Sequence, residues 1–186
     1  DRAEILWPDE LMSIFLPDII NEGENILFDV KCSQALDDMI RRLGGNPIMW
    51  KTGHSLIKQK MSELDCKFGG EMSGHIFFAD DYFGYDDALY VAARLLELLS
   101  KTDKKLSELR SVIPVYYSTP EMRMEAKNDE EKFIITKKAV EYFTSNFECI
   151  TVDGVRIKFD DGWGLVRSSN TQPVIVCRFE ANSIER

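Results

Sequence analysis

Two different hydrophobic patterns divide the chain. In the first half, continuous apolar runs such as NILFDV at 25–30 and NPIMW at 46–50 alternate with runs whose apolar residues recur three and four positions apart. The continuous runs are typical of strands buried on both faces of a mostly parallel sheet. The periodic runs predict amphipathic helices. Together they indicate a layered α/β domain with a mixed sheet.

Specific residues mark where the helices of this half should begin. Pro8 suits the first position of a helix that follows a short strand. Ser33, Ser55 and Asp86 are predicted N-caps, because their side-chain oxygens can accept hydrogen bonds from the unpaired N–H groups of a first turn. The sequence therefore predicts four helices packed on the sheet.

The pattern changes between Leu109 and Pro114, where a second domain is expected to begin. SVIPVYYS and EMRMEA are strand-like, residues 129–147 predict an amphipathic helix, and Asp153-Gly154 is a favoured hairpin turn inside CITVDGVRIKF. GWGLVR and PVIVCRFEA add two further strands. This order predicts a mostly antiparallel α+β domain.

Composition excludes several classes of protein. The chain has 186 residues, of which 44% are hydrophobic and 30% charged, as in globular domains. Its net charge of -9 would repel nucleic acid and anionic membranes. No apolar run is long enough to span a membrane. The four cysteines show no metal-ligand spacing, so we expect buried free thiols and a cytoplasmic protein.

Polar side chains follow the two continuous apolar runs. Lys31 follows the first run and His54 follows the second, so both are expected at the carboxyl edge of the sheet, where α/β proteins bind ligands. Gly53 permits a tight turn before His54, and the N–H groups of the next helix attract anions. The alternatives are a lysine whose ammonium reaches solvent and an ordinary loop histidine.

The segment KFGGEMSGHIFFADDYFG, residues 67–84, combines glycines with polar side chains. Glu71 can accept hydrogen bonds from two neighbouring hydroxyls, Ser73 can donate or accept, and His75 can also carry a proton. The glycines are interpreted as letting the backbone approach a ligand closely. A β-hairpin with ordinary polar turn residues is the alternative. The glycines concerned are Gly69, Gly70 and Gly74.

A second polar cluster lies in GWGLVRSSNTQP. Arg167 offers a planar guanidinium, Asn170 an amide, and Ser168, Ser169 and Thr171 offer hydroxyls. Such donors on a turn suit a phosphate dianion, and a solvated turn is the alternative. With a hydroxyl-binding group on one domain and a phosphate-binding group on the other, the sequence predicts a phosphorylated sugar bound in a cleft between them.

These segments resemble those of the α-D-phosphohexomutases, and most closely the bacterial phosphomannomutase/phosphoglucomutase branch. The resemblance covers essentially the whole chain, through EILWPDEL, FDVKCS, WKTGHSLIK, GGEMSGHIFF, FGYDDALYVAARLLELLS and RSSNTQPVIVCRFEA. Phosphoglucosamine mutases usually read GEQSGH and RPSGTEP, and Met72 and Asn170 stand where those motifs differ. The difference favours glucose and mannose phosphates.

The resemblance implies a domain organisation, because such family members have four domains. Residues 1–21 would be the tail of domain 2, residues 22–109 the sugar-binding α/β domain 3, and residues 110–186 the phosphate-binding domain 4. That last domain resembles the TATA-binding-protein fold, here without its final helix. The family's phosphoserine loop (TxSHNP) and metal loop (DGDxDR) do not occur in this sequence. We therefore expect the chain alone to be inactive.

The resemblance also implies an activity. It is that of an isomerase that moves phosphate between O1 and O6 of a hexose through a phosphoserine and a 1,6-bisphosphate, with Mg²⁺ held by residues outside this chain. Lys31, His54 and His75 would lie near the reacting hydroxyl. The substrate-binding residues would be Glu71 and Ser73 for the sugar hydroxyls, and Arg167, Ser169, Asn170 and Thr171 for the phosphate that is not transferred.

The expected partners are mannose and glucose 1- and 6-phosphates, their 1,6-bisphosphate, and the N-terminal domains of the same enzyme, with no nucleic acid and no membrane. Two alternatives stay open. A non-catalytic sugar-phosphate sensor would come from a parent chain that lacks the serine and metal loops. The second alternative is the phosphoglucosamine mutase branch, which competitive kinetics on the parent enzyme would distinguish from the phosphomannomutase/phosphoglucomutase branch. Arg178 is expected to be structural, and Asp86 to be a helix cap.

Overall fold

The computed structural model describes residues 3–186. The described chain forms two compact units, the first ending at Pro114 and the second beginning at Val115. No helix in the described part of the chain is long and apolar enough to cross a membrane.

The first unit is a layered α/β structure. Strands β1, β2 and β3 are parallel, β4 is antiparallel to β3, and the order across the sheet is β2-β1-β3-β4. This arrangement confirms the predicted mixed sheet. Its elements are α1 (Pro8–Ile19), β1 (Asn25–Asp29), α2 (Gln34–Arg42), β2 (Asn46–Trp50), α3 (His54–Glu63), β3 (Phe68–Gly70), β4 (Ile76–Phe78), α4 (Ala88–Ser100) and α5 (Leu106–Arg110).

Helices cover both faces of this sheet, which is why the three central residues of β1, Ile26, Leu27 and Phe28, are all apolar. On one face, Phe15 of α1 packs edge-on against Phe68 and Phe78, with ring centroids 6.2 and 5.1 Å away. On the other face, Leu27 and Phe77 belong to a buried cluster with residues of α3. Strand burial on both faces is the usual reason for an uninterrupted apolar run.

One short strand and two helix caps differ from the sequence predictions, whereas α1 begins at Pro8 as predicted. The short strand expected before α1 is absent, because residues 5–7 have no neighbouring strand to pair with, and Ile5 and Trp7 are 68% and 53% exposed. Helix α3 begins one residue after Gly53, whose φ of +134° favours glycine at this N-cap, so Ser55 is not the cap. Helix α4 is capped by Asp87, because Asp86 is held in a bridge to Phe77.

The second unit is an antiparallel α+β structure, as predicted. Its sheet has the order β5-β10-β9-β8-β7, with β6 pairing with β10. The hairpin turn between β7 and β8 ends at Gly154, whose φ of +73° favours glycine. The elements are β5 (Tyr117–Ser118), β6 (Met122–Glu125), α6 (Asp129–Thr144), β7 (Cys149–Ile150), β8 (Val155–Phe159), β9 (Gly162–Ser168) and β10 (Val174–Ala181).

Helix α1 packs against α2 and β3 of the first unit. The assignment of residues 1–21 to the tail of a preceding domain stays a prediction, as do the limits 22–109 and 110–186. Among the cysteines, Cys32, Cys66 and Cys177 are buried, Cys149 is half-buried, and none forms a disulfide.

Candidate functional site

Asp29, at the end of β1, joins the three loops that follow the parallel strands. Its side chain is fully buried, and Oδ1 accepts hydrogen bonds from the backbone N–H groups of Lys31 (3.1 Å) and Met72 (3.4 Å). Oδ2 accepts from the hydroxyl of Thr52 at 3.3 Å. The loops after β1, β2 and β3 therefore meet at one carboxylate. Sequence reasoning missed this residue, although a carboxylate that ends an apolar strand is a usable signal.

Lys31 lies within this cluster. Its residue surface is only 9% exposed, and Nζ is 3.8 Å from Oδ2 of Asp29. A lysine that merely reaches solvent would keep its ammonium outside the protein. The structure instead places a buried positive charge at the carboxyl edge of the sheet, where the sequence predicted one.

Glu71 connects the glycine-rich segment to the loop that carries His54. The residue is 1% exposed, and its Oε1 accepts a hydrogen bond from the backbone N–H of Gly53. Burial raises the pKa of the Glu71 carboxyl, and the negative charge of Asp29 adds to this, while the Gly53 N–H and the nearby His75 and Lys31 oppose it. A buried carboxylate thus lies between two histidine-bearing loops.

The two histidines lie close together. The ring centroids of His54 and His75 are 5.6 Å apart, and Nδ1 of His75 is 2.6 Å from Oδ2 of Asp86. His54 is the first residue of α3. Ser73 lies exposed in the turn between β3 and β4, followed by Gly74 at a φ of +100°. Lys31, His54, Glu71 and His75 are therefore brought together in the first unit.

The backbone around the motif is a β-hairpin, with β3 and β4 joined by residues 71–75. Gly69 and Gly70 lie inside β3, where a Cβ atom on Gly69 would come within 2.8 Å of the carbonyl oxygen of Leu27. A Cβ on Gly70 would come within 2.8 Å of Met12 Sδ. These two glycines are needed for packing in the sheet, and their proposed role in letting the backbone approach a ligand stays a prediction.

In the second unit, Arg167 lies at the base of the loop that joins β9 to β10. The residue is 4% exposed, and Nε donates to Oδ2 of Asp153 at 2.9 Å. Its Nη2 is buried and has no hydrogen-bond acceptor within the described residues. Asn170 and Thr171 are exposed at the tip of the loop. The loop thus carries exposed polar groups, and the buried guanidinium at its base has an Nη2 atom without an acceptor in the described part of the chain.

Lys132 of α6 holds this loop from beneath. It is 3% exposed, and Nζ donates to the carbonyl oxygens of Ser169 (2.9 Å) and Gln172 (3.0 Å). The hydroxyl of Ser169 accepts from the N–H of Thr171 at 3.3 Å. Sequence reasoning missed Lys132, because nothing in DEEKFIITKKAV distinguishes it from the two other lysines.

The described residues include no group of three or more histidine, cysteine or carboxylate side chains that could hold a metal ion. Magnesium favours several oxygen ligands from carboxylates, water and substrate phosphates. The residues in this part of the chain therefore do not form a Mg²⁺ site, and no step proposed for them involves a metal.

Two family models match the chain. One describes the alpha/beta/alpha domain III of phosphoglucomutase/phosphomannomutase and matches residues 7–116. The other describes the C-terminal domain of the same family and matches residues 102–186. Together with the α/β and α+β units and the site on the first of them, these matches define the class. The chain belongs to the phosphoglucomutase/phosphomannomutase family.

Individual relatives agree with this assignment. A phosphomannomutase/phosphoglucomutase of Pseudomonas aeruginosa is 46% identical over 100% of this chain, which spans 40% of that protein. A solved phosphoglucomutase/phosphomannomutase family structure from Burkholderia thailandensis is 41% identical, with a TM-score of 0.83, over 98% of this chain and 39% of its own. The chain therefore spans about two fifths of the length of the relatives it matches.

A more distant structure shares the fold alone. It is the N-acetylphosphoglucosamine mutase of Aspergillus fumigatus in complex with GlcNAc-6P and magnesium. Its identity is 13% and its TM-score 0.69, over 98% of this chain and 44% of that one.

Proposed function

We propose that this chain is the sugar- and phosphate-binding part of a phosphohexomutase that interconverts hexose 1-phosphates and hexose 6-phosphates, with mannose and glucose as the sugars. The observation that supports this most directly is the convergence of Lys31, His54, Glu71 and His75 at the carboxyl edge of the first sheet. Family membership supports the same activity.

The first unit is proposed to bind the sugar hydroxyls through Glu71 and Ser73. One oxygen of Glu71 accepts from the N–H of Gly53, and the other is proposed to accept from a hydroxyl of the ligand. The 3- and 4-hydroxyls of a hexose are neighbours that roughly exchange places when the ring is turned over, so one carboxylate can bind both poses. Glucose and mannose differ at C2, which this contact does not involve, so both sugars would be accepted.

The second unit is proposed to bind the phosphate that is not transferred. The buried Nη2 of Arg167 lacks an acceptor in the described part of the chain, and a phosphate oxygen would satisfy it. Ser169, Asn170 and Thr171 would add hydrogen bonds from the loop. Each contact to a charged group contributes roughly 1.5–3 kcal/mol, enough for several to hold one end of the substrate while the other reacts.

The chemistry proposed for the whole protein is phosphoryl transfer. A sugar hydroxyl oxygen forms a bond to phosphorus, the bond from phosphorus to a phosphoserine oxygen breaks, and that serine oxygen takes up a proton. The proton of the attacking hydroxyl passes to a base, for which His75 and His54 are the candidates. Lys31 supplies positive charge. The phosphoserine and Mg²⁺ would be provided by other parts of a longer protein.

The domain division proposed for that longer protein is the tail of domain 2 at residues 1–21, domain 3 at 22–109 and domain 4 at 110–186. A cytoplasmic location is also proposed, since none of the four cysteines forms a disulfide. Phosphoglucosamine is disfavoured as a substrate, because Met72 and Asn170 depart from the motifs of that branch.

Calorimetric titration with glucose 1-phosphate tests the proposal. The Glu71→Ala variant should lose measurable binding, whereas Glu63→Ala, which removes a carboxylate on the outer surface of α3, should bind like the unmodified chain. Equal binding by all three proteins would overturn the proposed role of Glu71. The chain alone should show no glucose 1-phosphate turnover in a coupled assay, and observed turnover would refute that expectation.

A further inference from the structure

We propose that Asp86 is a positioning residue for His75, which keeps the imidazole proton on Nδ1 so that Nε2 is the atom able to accept a proton from a ligand hydroxyl. The inference rests on the proposed function, in which His75 faces the reacting hydroxyl. The sequence predicted a helix cap at Asp86. The structure assigns that cap to Asp87 and places Asp86 against the histidine.

The distance between the two side chains is that of a hydrogen bond, and the chemistry of the carboxylate sets its direction. Nδ1 of His75 lies 2.6 Å from Oδ2 of Asp86. An ionised carboxylate can only accept hydrogen bonds, so Nδ1 must carry the proton that is shared between them. In a neutral imidazole the second nitrogen is then an acceptor. Nε2 is therefore the basic atom of the ring.

The strand register explains why these two residues meet. Phe77 and Asp86 form an isolated antiparallel bridge beside β4. His75 lies two residues before Phe77, and residues two apart on an extended strand point to the same side. Asp86 is thus a diagonal cross-strand neighbour of His75, within reach of a long or aromatic side chain. The pairing follows from the backbone and needs no unusual conformation of either residue.

Neighbouring contacts hold the backbone of Asp86 in place. Asp87 accepts hydrogen bonds from the N–H groups of Leu89 (3.0 Å) and Tyr90 (3.1 Å), and from the hydroxyl of Tyr82 (2.8 Å). The rings of Tyr82 and Tyr90 stack with centroids 3.8 Å apart. The two adjacent carboxylates therefore have different roles. Asp87 caps the start of α4, and Asp86 forms a hydrogen bond with His75.

The ring of His75 remains accessible to a ligand. Its side chain is 42% exposed, and that of Asp86 is 35% exposed. The ring also lies beside His54 and near the buried carboxylate of Glu71. With the opposite tautomer, Nε2 would carry the proton and could only donate to a hydroxyl oxygen. The hydroxyl proton released in phosphoryl transfer would then have no acceptor on this ring.

Nitrogen NMR of the histidine rings tests the proposal directly. The chain has two histidines, so a sample labelled with ¹⁵N only in histidine gives two ring systems, and His54→Gln identifies that of His75. In spectra recorded over a range of pH, the ring nitrogen shifts identify the neutral ring and report its tautomer. We expect His75 to be predominantly Nδ1–H in the unmodified chain.

Removing the carboxylate should change that tautomer. In Asp86→Ala the Nε2–H form, which free histidine prefers, should predominate, and the isosteric Asp86→Asn should also lose part of the Nδ1–H form. Asp81→Ala removes an exposed carboxylate of the same connection and should leave His75 unchanged. A predominantly Nε2–H ring in the unmodified chain, or an unaltered tautomer in both Asp86 variants, would overturn the proposal. These NMR samples contain no ligand. A failure of glucose 1-phosphate to bind in the calorimetric titration would therefore count against the proposed function and not against the tautomer of His75.

Discussion

The backbone N–H of Gly53 donates a hydrogen bond to Oε1 of Glu71, and this bond joins the loop that carries His54 to the loop that carries His75. The carboxyl that accepts it is almost completely buried. Because burial disfavours the charged form, the pKa of Glu71 is raised. The folded chain therefore holds the carboxyl that is proposed to bind the sugar at a cost in stability.

Glu71→Gln should stabilise the chain at neutral pH. Folding raises the pKa of the Glu71 carboxyl, so the protonated carboxyl favours the folded state. This contribution to the free energy of unfolding is complete below the pKa of the unfolded chain and is lost as pH rises through the pKa of the folded chain. Glutamine keeps the acceptor for Gly53 and cannot ionise. Denaturant unfolding at several pH values should show the variant equal to the unmodified chain in acid and more stable near pH 7.

The control for this experiment is Glu63→Gln. The pKa of Glu63 is lowered, chiefly by its hydrogen bond with Lys60, so this variant should gain no stability at neutral pH. A Glu71→Gln variant less stable than the unmodified chain at every pH would contradict the account. Glu71→Gln should also bind glucose 1-phosphate more weakly than the unmodified chain, because an amide oxygen accepts hydrogen bonds less strongly than a carboxylate.

Asp29→Ala should be strongly destabilising. The change removes the carboxylate that accepts from Thr52 and Met72 and that lies 3.8 Å from the buried ammonium of Lys31. Breaking a buried ion pair on one side costs roughly 3–5 kcal/mol. Urea unfolding followed by circular dichroism measures the loss. Asp37→Ala, which breaks a helical pair with Arg41, should cost at most about 0.5 kcal/mol, and a similar loss in both variants would refute the central position of Asp29.

Gly70→Ala should destabilise the hairpin that carries the site. The added Cβ would lie 2.8 Å from the carbonyl oxygen of His75 and 2.8 Å from Met12 Sδ. Overpacking of this kind typically costs about 1–3 kcal/mol. A shift of the thermal midpoint measures it, with Ser73→Ala at the exposed turn as the near-neutral comparison. A Gly70→Ala protein as stable as the unmodified chain would contradict this expectation, because the hairpin would then accommodate the added methyl group without strain.

Lys132→Met should loosen the β9–β10 loop. Methionine keeps the apolar stem of the side chain but removes the donor that binds the carbonyls of Ser169 and Gln172. The expected loss is about 1–3 kcal/mol, with faster amide exchange in residues 169–172. Lys137→Met removes an exposed lysine of the same helix and should leave both measurements unchanged. Unaltered exchange in Lys132→Met would rule out the proposed support of the loop.

The fold was predictable because its two patterns depend on many residues at once. Continuous apolar strands followed by helices gave the first unit, and the Asp153-Gly154 turn between β-rich runs gave part of the second. Errors arose where one of two neighbouring candidates had to be chosen. Asp86 and Asp87 are equally good caps from sequence alone, and the choice is made by the bridge between Asp86 and Phe77.

The site was predictable only in part. Lys31 and His54 could be placed because each lies in the connection after a parallel strand, and strand ends of a parallel sheet meet at one edge. Asp29 and Lys132 could not be found in the same way. Their roles depend on which loops the topology brings beside them, and this information is not local to either residue.

One titration tests the central proposal, that the first unit binds sugar hydroxyls and the second unit binds phosphate. Amide NMR spectra would be recorded with glucose 1-phosphate, methyl α-glucoside and inorganic phosphate in turn. The account predicts that the glucoside shifts the amides of residues 71–75 alone and phosphate those of residues 169–171 alone. Glucose 1-phosphate, which carries both the sugar and the phosphate, should shift both groups, and a response confined to one group, or none, would contradict the account.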